Sequence, residues 1–267
     1  MSSFRLIQPT APQVPILLSI PHCGTQFPQE LKAQYRPDLI AAPDDTDWFV
    51  HRLYDFAAAM GISVIHATVS RWVIDLNRDP ESKPLYTDGR IITPLCPTTT
   101  FTGEHIYNDM RSQVDPVEVK RRVAVYYKPY HDHVAKKLFE LKSRFGRVLL
   151  WDCHSIRQVV PTIHQASFPD LILGTNDGKS ADPGMIDTAL SELKKGKYSV
   201  SLDSPFKGGY ITRYFGKPSE NQHAMQLEMT KINYMDDAER NYDPGRAEDI
   251  RSILKKVFSA LVRKWLA

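Results

Sequence analysis

Cysteine is scarce in this sequence: the chain has three in 267 residues, with no Cys-x-x-Cys pair. An odd, low count argues against a disulfide framework and predicts a reducing compartment. Residues 1–15 lack the apolar core of a secretory signal, and no apolar run approaches the ~20 residues of a membrane helix. We therefore expect a cytoplasmic protein that does not enter a membrane.

The chain also lacks a strong charge of either sign. Its 34 basic and 31 acidic side chains leave a formal charge of +3. A nucleic-acid-binding protein usually carries a basic stripe, so no nucleic-acid partner is expected. Internal repeats and low-complexity segments are missing too. The length allows one large domain or two small ones, and we expect a single domain over residues 1–267. Oligomeric state cannot be read from these patterns.

Short apolar runs alternate with amphipathic segments, which predicts an α/β fold. Strands are predicted at residues 16–20, 63–67, 71–76, 148–151, 171–173, 210–214 and 224–229. Helices are predicted after a cap at residues 44–46 up to position 61, and over residues 116–145, 183–195 and 245–265. The alternation implies a mostly parallel or mixed sheet flanked by helices. Residues 77–103 form a long predicted loop, and loops of that length are often functional.

Two predicted strands lead directly to a histidine, His22 and His154. Ligands gather at the carboxyl ends of strands in open α/β sheets, so these imidazoles can converge on one ion. A catalytic zinc site uses three protein ligands, of which the third here is expected to be a carboxylate. We favour Asp47 because Asp44 or Asp45 is better placed to cap the following helix.

Other ligands and another mechanism stay open. Asp45 and His51 are reserve ligands, the latter because it lies four positions after Asp47 and would share its helical face. Cys23 and Cys153 each follow or precede a proposed histidine ligand, so a Cys-His nucleophile is an alternative. Neighbouring residues on an extended chain point to opposite faces, however, which turns both thiols away from the site.

Several side chains are candidates for binding a carboxylate or for acid–base catalysis. Arg78 offers a planar fork to a carboxylate, and Asn77 beside it can add a hydrogen bond. An ion pair between Arg78 and a nearby acid is the structural alternative. Glu228 shares one face of a predicted strand with Gln226, while Leu227 and Met229 share the other, and a glutamate on such a mostly apolar strand is costly without a partner or a task. Its expected task is general base for a metal-bound water, and an ion pair with Arg213 or Lys207 is the structural alternative. The remaining candidates for binding the substrate are Arg71, Lys207 and Arg213.

The sequence resembles the N-formylglutamate amidohydrolase family. The stretches that carry the resemblance are SIPHCGTQFP, DTDWFVHRLYDFA, SRWVIDLNRDP, WDCHSIR, DLILGT, FKGGYITRYFG and HAMQLEM, spread over residues 19–229. The resemblance implies a zinc-carboxypeptidase-like fold that is shared with the aspartoacylases. It also implies that Asn77 and Arg78 hold the substrate, that His154 binds metal and that Glu228 is the general base. The aspartoacylase relatives carry a metal-binding glutamate three residues after the histidine that corresponds to His22, and this chain has Thr25 at that position.

The expected reaction is metal-dependent hydrolysis of N-formyl-L-glutamate to formate and L-glutamate, a step of histidine degradation. Zinc is the expected cofactor, and another divalent transition metal is possible. Arg213 is expected either to hold a substrate carboxylate or to stabilise the oxyanion. One alternative is a hydrolase that acts on another N-acyl amino acid or on a short peptide. A further alternative is a protein that binds an acidic amino acid and catalyses nothing.

Overall fold

The computed structural model describes residues 2–81, 83 and 93–266, and within them seven strands form one mixed sheet. The strands are β1 (Phe4–Ile7), β2 (Ile16–Ile20), β3 (Ser63–Ala67), β4 (Val148–Ile156), β5 (Leu171–Gly174), β6 (Val200–Leu202) and β7 (Gln222–Thr230). Their order across the sheet is β1-β3-β2-β4-β7-β5-β6. The predicted α/β class with a mixed sheet is confirmed.

Helices cover both faces of this sheet. The α-helices are α1 (Gln29–Lys32), α2 (Pro37–Ile40), α3 (Val50–Leu53), α4 (Pro116–Arg122), α5 (Lys128–Phe145), α6 (Pro183–Leu193), α7 (Tyr210–Phe215) and α8 (Pro244–Leu266). A π-helical segment, Val123–Tyr127, joins α4 to α5, and 3₁₀ turns lie at Asp55–Met60, Pro218–Glu220 and Lys231–Asn233. None of the helices in the described ranges is long and apolar enough to cross a membrane.

The centre of the sheet is parallel, and this arrangement creates the edge where the site lies. Strands β3, β2, β4 and β7 are neighbours that run in the same direction, while β1 and β5 pair antiparallel at either side. The carboxyl ends of the four parallel strands therefore meet at one edge. Ligands of open α/β sheets bind beyond this kind of edge.

Side chains alternate between two apolar clusters, one on each face of the sheet. Leu149 and Trp151 of β4 pack in the cluster that contains α6 and α8, whereas Val148 and Leu150 pack in the cluster that contains α5. This is the two-residue period of a strand. On the second face, Asp152 and His154 of β4 and Gln226 and Glu228 of β7 follow the apolar residues and line the site.

The predicted helix between Asp44 and Gly61 is shorter than expected. Only α3 and a 3₁₀ turn form, because Phe49 has a left-handed backbone (φ 63°) that interrupts the helical path. Asp45 does not cap a helix. Its carboxylate accepts hydrogen bonds from Trp72 Nε1 at 2.8 Å and from the backbone of Phe101. The prediction of an acidic cap was wrong because these longer-range contacts outcompete capping.

Two predicted strands do not exist. Residues 71–76 form turns, with Val73 N donating to Ser70 O and Arg78 N donating to Asp75 O. Residues 210–214 belong to α7, in which the buried Ile211 and Phe215 lie four residues apart on one helical face. Apolar residues in short runs fit either state, so the pattern was ambiguous. The edge strands β1 and β6 were not predicted, and residues 82 and 84–92 of the predicted loop lie outside the described residues.

Candidate metal centre and active site

Three buried side chains meet at the carboxyl edge of the sheet: His22, Asp47 and His154. One donor atom from each lies within 4.8 Å of the others, and no other group in the described ranges offers such a set. His22 follows β2, and His154 lies in β4 beside it. Asp47 comes from the loop before α3 and is held there by a hydrogen bond from its backbone N–H to His22 O.

The donor atoms of this group fit a cation. His22 Nδ1 and Asp47 Oδ2 are buried without a hydrogen-bond partner, which is costly unless an ion or a proton satisfies them. His154 Nδ1 lies 3.2 Å from the same Asp47 oxygen. Burial disfavours the charged form of His154, but the carboxyl groups of Asp152, Asp47 and Glu228 together outweigh burial and hold the pKa of His154 well above its usual value. The negative charge that these carboxyl groups bring to the site also favours a cation.

Each histidine is oriented by a carboxylate behind it. His22 Nε2 donates to Asp75 Oδ1 at 2.7 Å, and Arg71 Nη2 donates to the other oxygen of Asp75 at 2.6 Å. Burial alone would raise the pKa of Asp75, but Arg71, His22 and Arg78 together hold it well below its usual range, so the carboxylate is ionised. A hydrogen bond of this kind fixes the ring so that the opposite nitrogen, Nδ1, faces the ion.

His154 has the same arrangement with Asp152, two residues earlier on the same face of β4. His154 Nε2 lies 2.9 Å from Asp152 Oδ2. Asn77 Nδ2 donates to that oxygen at 3.3 Å, and Asn77 Oδ1 accepts from Ile211 N at 2.8 Å. Both ends of the Asn77 amide are therefore engaged in holding the histidine and α7.

Glu228 lies on β7 directly across from His154 in β4. The side chain is buried, and burial raises the pKa of its carboxyl to about 8, opposed in part by His154. Leu227 and Met229 on either side of it pack into the apolar cluster on the opposite face. A carboxyl group whose pKa lies near neutrality, next to a candidate metal group, is suited to accept and return a proton.

The reserve ligands and the thiols lie outside this group. His51 is exposed and stacks on His66 with ring centroids 5.4 Å apart, while both oxygens of Asp45 accept hydrogen bonds elsewhere. The expectation that His51 shares a helical face with Asp47 was wrong because α3 begins only at Val50. Cys23 and Cys153 are buried in the apolar core, where burial raises the pKa of both thiols and makes them poor nucleophiles.

The other predicted residues that would bind substrate differ in their burial and in their partners. Arg71 is buried against Asp75, with its guanidinium over the Phe101 ring at 4.7 Å. Arg78 is half-buried and donates to Thr93 O at 3.1 Å. Arg213 Nε donates to Gly208 O, and Lys207 pairs with Asp177 at 2.9 Å. Their roles in binding substrate stay predictions.

The turn segment of residues 70–78 has no strand partner, yet it carries Arg71, Asp75 and Asn77. Side chains from other elements hold its backbone carbonyls instead. These contacts are Tyr35 to Trp72 O, Arg122 to Val73 O, His131 to Leu76 O and Tyr127 to Arg78 O, at 2.8 to 3.2 Å. Three of the four come from the continuous helical stretch of α4, the π-helical segment and α5. The irregular backbone is therefore fixed at several points.

Sequence reasoning assigned no role to Asp75, Asp152 or Gln226. A signal for Asp152 was present, because residues two apart on a strand share a face and Asp152 therefore faces the same way as His154. The pairing of Asp75 with His22 joins positions 53 residues apart and had no local signal.

Gly209 packs against Asn77 so closely that only glycine fits. A Cβ at this position would lie 2.3 Å from Asn77 Nδ2, although φ is an ordinary −82°. We expect Gly209→Ala to displace the Asn77 amide and to weaken metal affinity or kcat by about 10–100-fold, the usual cost of losing an outer partner of a ligand. Metal titration and steady-state kinetics measure both quantities.

Gly245→Ala is the matched control, because a Cβ there meets only Asp243 Oδ1 at 3.3 Å. It should leave metal affinity and kcat unchanged. Wild-type metal affinity and kcat in Gly209→Ala would contradict the role given to this contact.

A carboxyl group suited to proton transfer beside a candidate cation site is an arrangement that can hydrolyse an amide. The α/β fold and this site together fit the class of amide hydrolases. Residues 14–235 match the family model described as N-formylglutamate amidohydrolase, and the chain belongs to that family.

Relatives and solved structures agree with this membership. The chain is 40% identical to N-formylglutamate deformylase of Pseudomonas aeruginosa over 94% of this chain and 93% of the relative. It is 37% identical to the enzyme of the same name from Pseudomonas putida, with the same coverage. The crystal structure of N-formylglutamate amidohydrolase from Ralstonia eutropha JMP134 matches 99% of this chain and 97% of that one, with a TM-score of 0.79 and 25% identity.

Proposed function

We propose that this protein hydrolyses N-formyl-L-glutamate to formate and L-glutamate at a zinc site formed by His22, Asp47 and His154. The observation that carries the proposal is the buried His-Asp-His group beside Glu228. Two ligand atoms of this group, His22 Nδ1 and Asp47 Oδ2, have no hydrogen-bond partner. The substrate follows from the names of the Pseudomonas relatives. Imidazole nitrogen and carboxylate oxygen suit zinc, and other divalent transition metals accept the same donors.

The residues of the chain supply binding and proton transfer. A cation held by the three ligands would supply Lewis-acid chemistry that activates water and polarises the formyl carbonyl. Glu228 accepts a proton from the water while the water oxygen attacks the formyl carbon. It then returns the proton to the amine nitrogen as the C–N bond breaks, so formate and the free amino group of glutamate leave.

Cationic side chains around the site are proposed to hold the two carboxylates of the substrate. The candidates are Arg78, which follows Asn77 in the chain, and Arg213 with Lys207, which flank Gly208 and Gly209. A guanidinium binds a carboxylate through two parallel hydrogen bonds, which would fix the formyl group relative to the metal ligands. Arg71 and Asn77 do not contact the substrate in this proposal. They hold Asp75 and Asp152, the carboxylates behind the two histidines.

A substrate panel tests the proposal. N-formyl-L-glutamate, N-acetyl-L-glutamate, N-formyl-L-alanine and a short peptide with a free carboxyl terminus would be compared by kcat/KM on protein of measured metal content. We expect N-formyl-L-glutamate to be preferred, with the alanine analogue weaker by about tenfold or more because it lacks the second carboxylate and so forms fewer charge-assisted hydrogen bonds in the site. A preference for the peptide or the acetyl compound would overturn the assigned substrate.

A further inference from the structure

Gln226 is a buried polar residue to which the proposed reaction gives no role. It lies on β7 two positions before Glu228, so both side chains point to the same face of the sheet. Its exposed fraction is 5%, and Ala224, the previous residue on that face, packs in the apolar cluster. Burying an amide costs free energy unless both of its ends find partners, so the contacts of Gln226 indicate its purpose.

The backbone determines which way the Gln226 amide points. Gly209 N–H can only donate, and it lies 2.8 Å from Gln226 Oε1. Reversing the amide would place two donors against each other, so the opposite end must carry the NH₂ group. That group, Nε2, donates to Glu228 Oε2 at 3.1 Å. One oxygen of the Glu228 carboxyl is thus committed to Gln226, which leaves Oε1 to exchange the proton.

The same turn also contacts the metal side of the site. Gly209 packs directly against Asn77, whose amide donates to Asp152, the partner of His154. The orientation of the base and the orientation of a metal ligand therefore depend on one backbone segment. A carboxylate that acts on a water near the metal must be held at a fixed position relative to the metal ligands, because small displacements of reacting groups reduce rates strongly.

We propose that Gln226 is a positioning residue that holds Glu228 through the Nε2–Oε2 hydrogen bond and aligns it with the metal ligands through Gly209. The inference rests on the proposed function, in which Glu228 is the base. Gln226 itself touches neither substrate nor metal in this proposal. It should affect the rate of the chemical step and leave substrate affinity and metal content alone.

Gln226→Met keeps the length of the side chain and removes both hydrogen bonds. We expect kcat to fall about 10–100-fold, the usual effect of losing an outer partner of a catalytic group. KM and the metal content should stay within about twofold of wild type, since no ligand or substrate contact is lost. The matched control is Gln222→Met on the same strand, whose amide donates to Phe215 O away from the metal group. It should leave kcat unchanged.

A double-mutant cycle separates positioning from general damage to the fold. When Gln226→Met is added to Glu228→Gln, kcat should fall by less than about twofold further, because the residue on which Gln226 acts no longer accepts a proton. Gln226→Leu replaces the methionine variant if the latter does not fold. Wild-type kcat in the single variant, or an undiminished loss in the double variant, would overturn the inference. Full activity of Glu228→Gln alone would instead overturn the base assignment.

Discussion

Replacing Glu228 by glutamine is expected to lower kcat by about 10²–10⁴-fold, the range for loss of a general acid–base group. The amide keeps the shape of the side chain but accepts no proton from water. Because Glu228 is not a member of the metal group, the variant should bind as much metal as wild type. The measurement is deformylation of N-formyl-L-glutamate, with metal content determined on the same sample by mass spectrometry.

The matched control for this variant is Glu220→Gln, the same substitution at an exposed residue of a 3₁₀ turn on the chain leading into β7. Its activity should equal that of wild type. If Glu228→Gln with full metal content were as active as the control, the base would have to be another residue. If its metal content were low, the loss of rate would reflect the cation and not the missing carboxylate.

Removal of Asp47 is expected to abolish metal binding and, with it, turnover. Loss of an outer partner costs about 10–100-fold in metal affinity, so removing a direct ligand in Asp47→Ala should cost more than about 100-fold. The two histidines would remain, but the third donor of the group would be gone. Titration with zinc and metal analysis after dialysis measure the effect independently of activity.

His51→Ala controls for this experiment, because His51 is exposed and lies outside the metal group, with its ring stacked on the half-buried imidazole of His66. It should retain full metal content and kcat. Asp45→Asn should also retain metal, although its contacts with Trp72 and Phe101 would be weakened. Metal retained in Asp47→Ala and lost in Asp45→Asn would exchange the roles of these two acids.

The strand pattern predicted the polar residues of the site where the backbone is regular. On β4 and β7 the side chains alternate, so a histidine or glutamate within an apolar strand had to face the same side as its neighbours two positions away. His154 and Glu228 lie directly across from each other in the structure. The same alternation turned Cys153 into the core.

Prediction failed where the backbone is irregular. Residues 71–76 were expected to be a strand, yet they form turns that bury every side chain and present Asp75 to His22. Residues 210–214 form a helix because the preceding glycines allow the chain to turn beside Asn77. Short apolar runs satisfy either period, so local pattern alone does not distinguish a strand from a helix or a turn.

The amino-acid sequence alone predicted the α/β class, the two histidines that follow predicted strands and the glutamate on a mostly apolar strand. These features depend only on local periodicity. The tertiary structure brings Asp47, which the sequence favoured over Asp45 on a capping argument that was wrong, together with the histidines. It also places Asp75 against His22, Asp152 against His154 and Gln226 against Glu228. These choices depend on hydrogen bonds between segments far apart in the chain. No spacing within a single segment encodes such contacts.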